Sequence, residues 1–436
     1  MSIYNLVSFL GIFILLGIAW LFSAERKTMN WRLITWGIGL QMIFALFIFV
    51  FPPGSHVFLW INAIVVKVMA SASAGAEFVF GRLALPPGTV NDAGEESLGF
   101  FLAFQGLPTI IFFSAVMSIL YYWGIMQRVI RAFAYIFTRF LRISGAESLC
   151  ASSNIFVGIE SSLTIKPYLA DMTSSELATV LTAGMATVAS NVMAVYVFSL
   201  QNQFPTIAAH LVSASFLSAP AAIIMSKIIM PETGRPLTLG KHVDLHYDRE
   251  ESFFEAIING ANSGVKLIVG IVALLIAVLG IVALADLVLG GVGTRINVLF
   301  GIGIDCSLKG LCGYLFYPLT LIIGVPPGDA VVVARIIGER TIITEVPAYQ
   351  DLARAIAEGM LSSPRSAVIC AYALCGFAHF ASMAIFIGGL SALEPKITRT
   401  LSAIGIRALL AATLACLMTA CIAGTFYRET SVLFGG

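Results

Sequence analysis

Residues 154–168 read NIFVGIESSLTIKPY, and the rest of the chain is best understood outward from them. One carboxylate, Glu160, lies among small, apolar and hydroxyl side chains. A charge at membrane depth costs roughly 2.5–3.5 kcal/mol on insertion scales, so it is seldom kept without a task. The same residues also read as a cytoplasmic turn carrying one solvated glutamate. Two features weigh for the first reading: a second carboxylate in an apolar setting, Glu345, and a short repeat placed after each glutamate.

The setting is lipid. Of 436 residues, 58% are hydrophobic and 11% charged, and the mean hydropathy is +0.94. Soluble domains carry roughly 25% charged residues. The chain is therefore expected to be an all-α polytopic membrane protein. The short alternating strands of an outer-membrane barrel are missing, and a net charge of +1 supplies no basic field for nucleic acid. Cys150, Cys306, Cys312, Cys370, Cys375, Cys416 and Cys421 fall mostly in apolar runs without metal or disulfide spacing, so they read as small buried residues. The apolar run 3–22 follows no basic segment and no cleavage site, and reads as a first membrane helix rather than a removed leader.

Spans are expected at 3–23, 33–52, 99–122, 205–229, 264–289 and 403–424, with a small-residue-rich helix at 175–200, a glycine-punctuated apolar segment at 297–325 and an interrupted helix at 366–392, about eight full spans in all. Arg26, Lys27 and Arg32 put the first loop in the cytoplasm by the positive-inside rule. Residues 56–80 read as an interfacial helix, though long enough to span, and 85–99, with Asp92, Glu95 and Glu96, as an acidic external loop. Arg128, Arg131, Arg139 and Arg142 mark a basic amphipathic helix at the cytoplasmic surface. His242 and His246 interleave with Asp244 and Asp248 in the hydrophilic stretch 231–252, which reads as a solvated loop in preference to a metal site. Residues 328–359 are too charged for a simple span and too apolar for a free loop, which fits a re-entrant hairpin buried in protein. Arg335, Arg340 and Arg354 there, and Arg365 just beyond, have no place in the charge rule. The resulting division is a scaffold over 1–98 with its interfacial helix; a first repeat half over 99–230, with a hairpin at about 144–168 and a broken helix at about 175–200; a cytoplasmic loop over 231–263; and a second half over 264–436, with a hairpin at about 326–360 and a broken helix at about 366–392.

The repeat pairs AGMATVAS (183–190) with CGFAHFAS (375–382), matching Gly184 to Gly376, Ala186 to Ala378, Ala189 to Ala381 and Ser190 to Ser382. Interrupted apolar segments at corresponding places in two halves point to a transporter's binding site. A helix that breaks there frees backbone groups that can bind a cation or polar solute in place of water. Asn154, the Val157 carbonyl, Thr187 and the Val188 carbonyl offer neutral oxygens of the kind that suits sodium. Glu160 and Glu345 can accept charge-assisted hydrogen bonds, and Val192 and Phe377 can meet a flat apolar face. Taken singly, Thr187, Ser190 and Ser382 read as packing residues in preference to ligands, Phe377 as core and His379 as a satisfied polar residue.

At NIFVGIESSLTIKPYL, AFQGLPTIIFFS (103–114), SGAESL (144–149), TEVPAY (344–349) and YALCGFAHFAS (372–382), the chain resembles the concentrative nucleoside transporter family over nearly its whole length. The resemblance implies an inner-membrane homotrimer in a bacterium, each subunit with eight spans, an interfacial helix, two opposed re-entrant hairpins and two broken helices in an inverted repeat. It places Gly158, Glu160 and Val192 toward the base of a bound nucleoside, and Glu345, Phe377, His379 and Ser382 toward its ribose. It matches Asn154, Val157, Thr187 and Val188 to a sodium site. The chain departs from the family at Ile159, where a glutamine is missing from the first hairpin, and at His379, where asparagine is common. Altered base and ribose contacts are expected.

The expected function is secondary active import of nucleosides, coupled to a sodium or proton gradient, by movement of a hairpin-bearing domain. The alternative is a divergent carrier of another polar solute, such as a nucleobase or modified nucleoside. No cofactor is expected beyond the coupling ion. A channel, or an intramembrane enzyme using Glu160, Glu345 and His379, are competing classes; no nucleophile-plus-base or metal motif supports the enzyme.

Overall fold

Apolar runs fix where the helices lie, and caps fix where they start. The computed structural model describes residues 2–91, 94–246, 250–301 and 303–429, leaving aside the side chains at 159 and 296. Asp92, Asp248 and the side chain of Ile159, all singled out above, lie outside that set. The first helices are α1 (Ile3–Leu21), α2 (Trp31–Ala45, prolonged by a π turn, Leu46–Val50) and α3 (Pro52–Phe80). They are followed by α4 (Leu102–Gln105), α5 (Pro108–Tyr122) and α6 (Ile125–Leu141). Next come α7 (Gly145–Ser153), a 3-10 segment (Ile159–Asp171), α8 (Ser174–Ala186), α9 (Ser190–Leu200) and α10 (Ile207–Ile229). The remainder is α11 (Phe253–Phe300), α12 (Leu308–Ile322), α13 (Pro327–Ile342), α14 (Glu345–Ala357), α15 (Pro364–Leu374), α16 (Phe380–Leu393) and α17 (Thr398–Phe426).

Polar residues at helix starts satisfy backbone amides that have no partner within the helix. Ser144 with Glu147, and Thr173 with Glu176, form reciprocal capping boxes on α7 and α8. Ser252 caps α11 by accepting from the Glu255 amide. That cap corrects the expected loop over 231–263: helix begins at 253, and the span expected at 264–289 is part of one 48-residue helix.

Among the described residues, eight helical stretches are long and apolar enough to cross a membrane. One of them is Pro52–Leu83, which contains the segment read as interfacial; the stretch Phe380–Leu393 is apolar but shorter. The interior is built from α8, α9, α10 and α17, which are buried along most of their length, while α3 and α11 turn large apolar side chains such as Phe78, Leu287 and Val298 outward. Apolar exterior around a polar-seamed interior is the pattern expected where lipid is the solvent.

The basic loops gather at one end of the bundle. The Ala24 amide donates to the Ile229 carbonyl at 2.8 Å, the Gly145 amide to Thr238 at 2.9 Å, and Arg407 approaches Met230 Sδ at 3.7 Å. The four arginines that the charge rule left out are tied within the protein. Arg335 pairs with Asp305 at 3.3 Å and Arg354 with Asp351 at 3.4 Å. Arg340 donates to the Ala373 carbonyl at 2.5 Å. Arg365 donates to the carbonyls of Gly324 (2.9 Å) and Tyr4 (2.8 Å) and to Ser8 Oγ (2.7 Å). A charge rule for loops does not apply to side chains bonded in this way.

Candidate functional site

Both members of the octet repeat fall on a helix break. The first interruption covers 187–189, between α8 and α9; the second covers 375–379, between α15 and α16. The breaks lie back to back. A Cβ on Gly376, whose φ is +130°, would come within 2.8 Å of the Ala186 carbonyl oxygen and 2.7 Å of Cys416 Sγ. Glycine is needed there both for its conformation and for the close approach. Cys416 of α17 lies between the breaks, 3.0 Å from the Cys375 carbonyl and 3.8 Å from that of Ala186.

Each break is faced by a pair of helical segments with a turn between them. The Ser190 amide, at the start of α9, donates to the Phe156 carbonyl at 3.0 Å, joining the first break to the turn after α7. On the other side, His379 at the start of α16 meets Glu345 at the start of α14. Four segments therefore begin around one space: the 3-10 segment at Ile159, α9 at Ser190, α14 at Glu345 and α16 at Phe380. The two acids, Glu160 and Glu345, each lie in the first turn of their segment, where the positive end of the peptide dipoles favours a negative charge.

The space is a cavity of about 120 Å³. Gly158, Glu160, Val192, Glu345, Phe377, His379 and Ser382 all line it, so the seven residues assigned to a solute meet in one place. Leu267, Ile271, Leu274 and Leu275, one stripe of α11, close its side. Glu160 and Asn191 also line a second, more polar cavity of about 330 Å³, with Tyr121, Thr164, Lys166, His246 and Glu250. That cavity reaches the 231–252 stretch, whose His246 amide donates to the Thr164 carbonyl at 3.1 Å. Glu160 is solvent-accessible and borders both cavities.

Glu345 is 4% exposed and strongly held. Tyr196 donates its hydroxyl to Oε1 at 2.6 Å, and its ring stacks on Tyr349 with centroids 4.5 Å apart. His379 Nε2 lies 2.9 Å from Oε2, close enough for electrostatic attraction. The His379 ring has its other nitrogen engaged: Nδ1 accepts from the Ser382 amide at 3.2 Å and caps α16. An accepting Nδ1 in a neutral ring puts the proton on Nε2, toward the carboxylate.

The four residues assigned to sodium line no single cavity. Val157 borders the polar cavity and Val188 an apolar one between α5 and α10, while Asn154 and Thr187 are buried. Their backbones are nevertheless adjacent, through the Ser190–Phe156 bond and the near contact of Gly158 with Ala189. Asn154 Nδ2 donates to the Cys150 carbonyl, whereas its Oδ1 is buried without a partner. Thr187 donates to the Ala183 carbonyl at 2.8 Å, which leaves its oxygen lone pairs available. Neutral oxygens with spare acceptor capacity fit a hard monovalent cation.

Of the two loop histidines, His242 stacks on Tyr135 at 5.1 Å and His246 is bound through its backbone. No cluster of three His, Cys, Asp or Glu side chains able to hold a metal occurs among the described residues. Sequence reasoning passed over Tyr196, Asn191, Thr344 and the α11 stripe. A lone hydroxyl in the apolar run of α9 was the available signal for Tyr196; for the α11 stripe there was none.

Comparison with known proteins agrees with this architecture. Residues 10–83 and 210–424 match the models for the N- and C-terminal parts of Na+ dependent nucleoside transporters, and 103–203 match one described as nucleoside recognition. An uncharacterized transporter of Haemophilus influenzae is 36% identical over 425 residues, covering 97% of both chains. The chain belongs to the concentrative nucleoside transporter family. Solute carrier family 28 member 3 of Mus musculus is 37% identical over 434 residues, which are 96% of this chain; the chain spans 58% of that relative's length. The structure of CNTnw in an inward-facing substrate-bound state is 33% identical, with a TM-score of 0.84 over 97% of this chain and 98% of that one. Family membership and the all-α polytopic membrane fold thus rest on matches along nearly the whole chain.

Proposed function

We infer that this family member is a secondary active nucleoside importer, coupled to inward movement of sodium or protons. One observation carries the reading: Glu160 and Glu345, 185 positions apart in sequence, border one cavity at the starts of helical segments. In this reading α7 with the following 3-10 segment, and α13 with α14, are two opposed re-entrant hairpins of an inverted repeat. Together with the broken helices α8–α9 and α15–α16 they form the moving domain. Residues 1–98 and α11 belong to the scaffold of a homotrimer in a bacterial inner membrane, and 231–252 faces the cytoplasm. The hairpins alternate the cavity between the two sides. Gly158, Glu160 and Val192 meet the base; Glu345, Phe377, His379 and Ser382 meet the ribose end.

Coupling follows from charge. A cation held by Asn154, Thr187 and the carbonyls of Val157 and Val188 partly offsets the negative charge of Glu160 and orders the first hairpin. Solute and ion then favour each other's binding by the same factor. Relatives described as sodium/nucleoside cotransporters, such as one from Rattus norvegicus that is 36% identical, support sodium as the ion. The protein acts as a carrier and not as an enzyme. Departures at Ile159 and His379 favour a second reading in which the solute is a nucleobase or modified nucleoside.

Uptake of radiolabelled uridine and adenosine into proteoliposomes tests the proposal. Saturable uptake that rises with an inward sodium or proton gradient is expected. Nucleoside uptake indifferent to both gradients removes the coupling, and a thermal-shift panel in which only nucleobases stabilise the protein favours the second reading.

A further inference from the structure

Helix α6 follows the span that contains α5 and leads into α7. Its sequence holds no acidic residue. Met126, Ile130, Phe137 and Leu141 are buried in the bundle, and the opposite face is exposed. That face carries Arg128, Arg131, Tyr135 and Arg139, with Arg142 just past the helix end. Spacings of 3, 4, 4 and 3 put these side chains on one stripe, about 21 Å long at 1.5 Å per residue.

The protein does not neutralise the stripe. Ion pairs among the described residues use none of the four arginines. Arg131 Nε donates to the Gln127 carbonyl of its own helix at 3.2 Å. The hydrophilic segment after α10 does reach the stripe, but with a ring: His242 stacks on Tyr135. Asp244, two positions on, is exposed and pairs with none of the arginines. Like charges three or four positions apart repel, so the helix favours an anion from outside. Arg142 adds to this. It is the one non-glycine with positive φ among the described residues, at +52°, a conformation that is strained for an L-residue and free for glycine. Exposed aromatic rings flank the stripe. Trp36 and Phe140 lie together at the Arg139 end, with centroids 5.3 Å apart, and Trp123 stands at the other end. Basic side chains bordered by exposed tryptophan suit the headgroup layer of a bilayer.

We propose that this stripe is a binding surface for anionic phospholipid headgroups, in the leaflet at the basic end of the bundle. Guanidinium forks match phosphate oxygens in pairs. A soluble anion would satisfy the charge and leave Trp36, Phe140 and Trp123 in water, whereas a lipid covers both. Because α6 is the link between α5 and α7, bound headgroups hold that link at the membrane surface.

Spin-labelled phosphatidylglycerol and phosphatidylcholine in phosphatidylcholine proteoliposomes test this, since the fraction of each label immobilised at the protein gives its relative association. The measurement does not depend on what the protein carries. Wild-type protein is expected to prefer the anionic label by about fivefold, the attraction of one well-placed arginine. Replacing Arg128, Arg131, Arg139 and Arg142 together by glutamine is expected to abolish the preference, and replacing them by lysine to keep most of it. If the glutamine variant does not elute as folded protein, Arg128→Gln with Arg139→Gln takes its place and is expected to lose at least half of the preference. Arg26→Gln with Lys27→Gln and Arg32→Gln removes basic residues from the same end without touching the stripe, and is expected to keep it. Equal association of both labels with the wild-type protein overturns the inference, and so does an equal loss in the Arg26, Lys27 and Arg32 variant. Suppression of the preference by inorganic phosphate at constant ionic strength also overturns it, because it marks a site for a soluble anion.

Discussion

Tyr196→Phe isolates the bond that holds the second carboxylate. The substitution removes one oxygen from a fully buried ring and leaves its stack on Tyr349 in place. What is lost is the 2.6 Å hydrogen bond to Glu345 Oε1. A hydrogen bond to a charged group contributes about 1.5–3 kcal/mol, and a neutral one about 0.5–1.5. In a Glu345→Gln background the same hydroxyl faces a neutral amide, so the phenylalanine change should cost less there. The difference, about 1–2 kcal/mol, is the coupling energy of the pair, or roughly 5- to 30-fold in an equilibrium constant. Stability of the four purified proteins against SDS titration measures it directly. Nucleoside affinity by calorimetry gives a second reading, because Glu345 lines the cavity. If the two substitutions add to within about 0.5 kcal/mol, the Tyr196 hydroxyl does not hold the carboxylate and the account of the site is wrong.

Two further outcomes follow from the same contacts. Lys227→Met breaks the 2.5 Å ion pair with Glu147 and strands a carboxylate that is 1% exposed; about 3–5 kcal/mol of stability should be lost. Adding Glu147→Gln keeps the acceptor of the α7 capping box without the charge and should recover most of it, so a double variant no more thermostable in detergent than the single one would refute the role of the pair. Gly376→Ala must place a Cβ against Cys416 and the Ala186 carbonyl at φ +130°, at a cost of about 1–3 kcal/mol from backbone strain alone. Gly388→Ala, where nothing lies within 4 Å, is the control, and equal melting temperatures for the two variants would show that the breaks are not packed as described.

Much of the helical layout was legible because it is local. Apolar runs of about 20 residues predict spans wherever water is absent. The octet repeat located both helix breaks, since small residues and hydroxyls are what an interrupted, closely packed helix needs. The start of α11 was misplaced because its first turns, around Glu255 and Asn259, carry polar residues within a helix whose apolar signal begins only later. Arg335, Arg340 and Arg365 were left over because their partners, such as Gly324 and Tyr4 for Arg365, are distant in sequence.

From sequence alone came the membrane setting, the positions of the breaks and the two acids, all properties of residues acting through near neighbours or through composition. Only the tertiary structure brought the starts of four segments, at 159, 190, 345 and 380, around one space and made α11 its side wall. It alone decided which polar atoms are spent and which remain free: His379 is committed at both nitrogens, while Thr344 withholds its hydroxyl from its own helix. The physical reason is that hydrogen-bond capacity is inherent in a residue type, but whether it is used depends on atoms within about 3 Å, and across a folded chain those atoms come from anywhere.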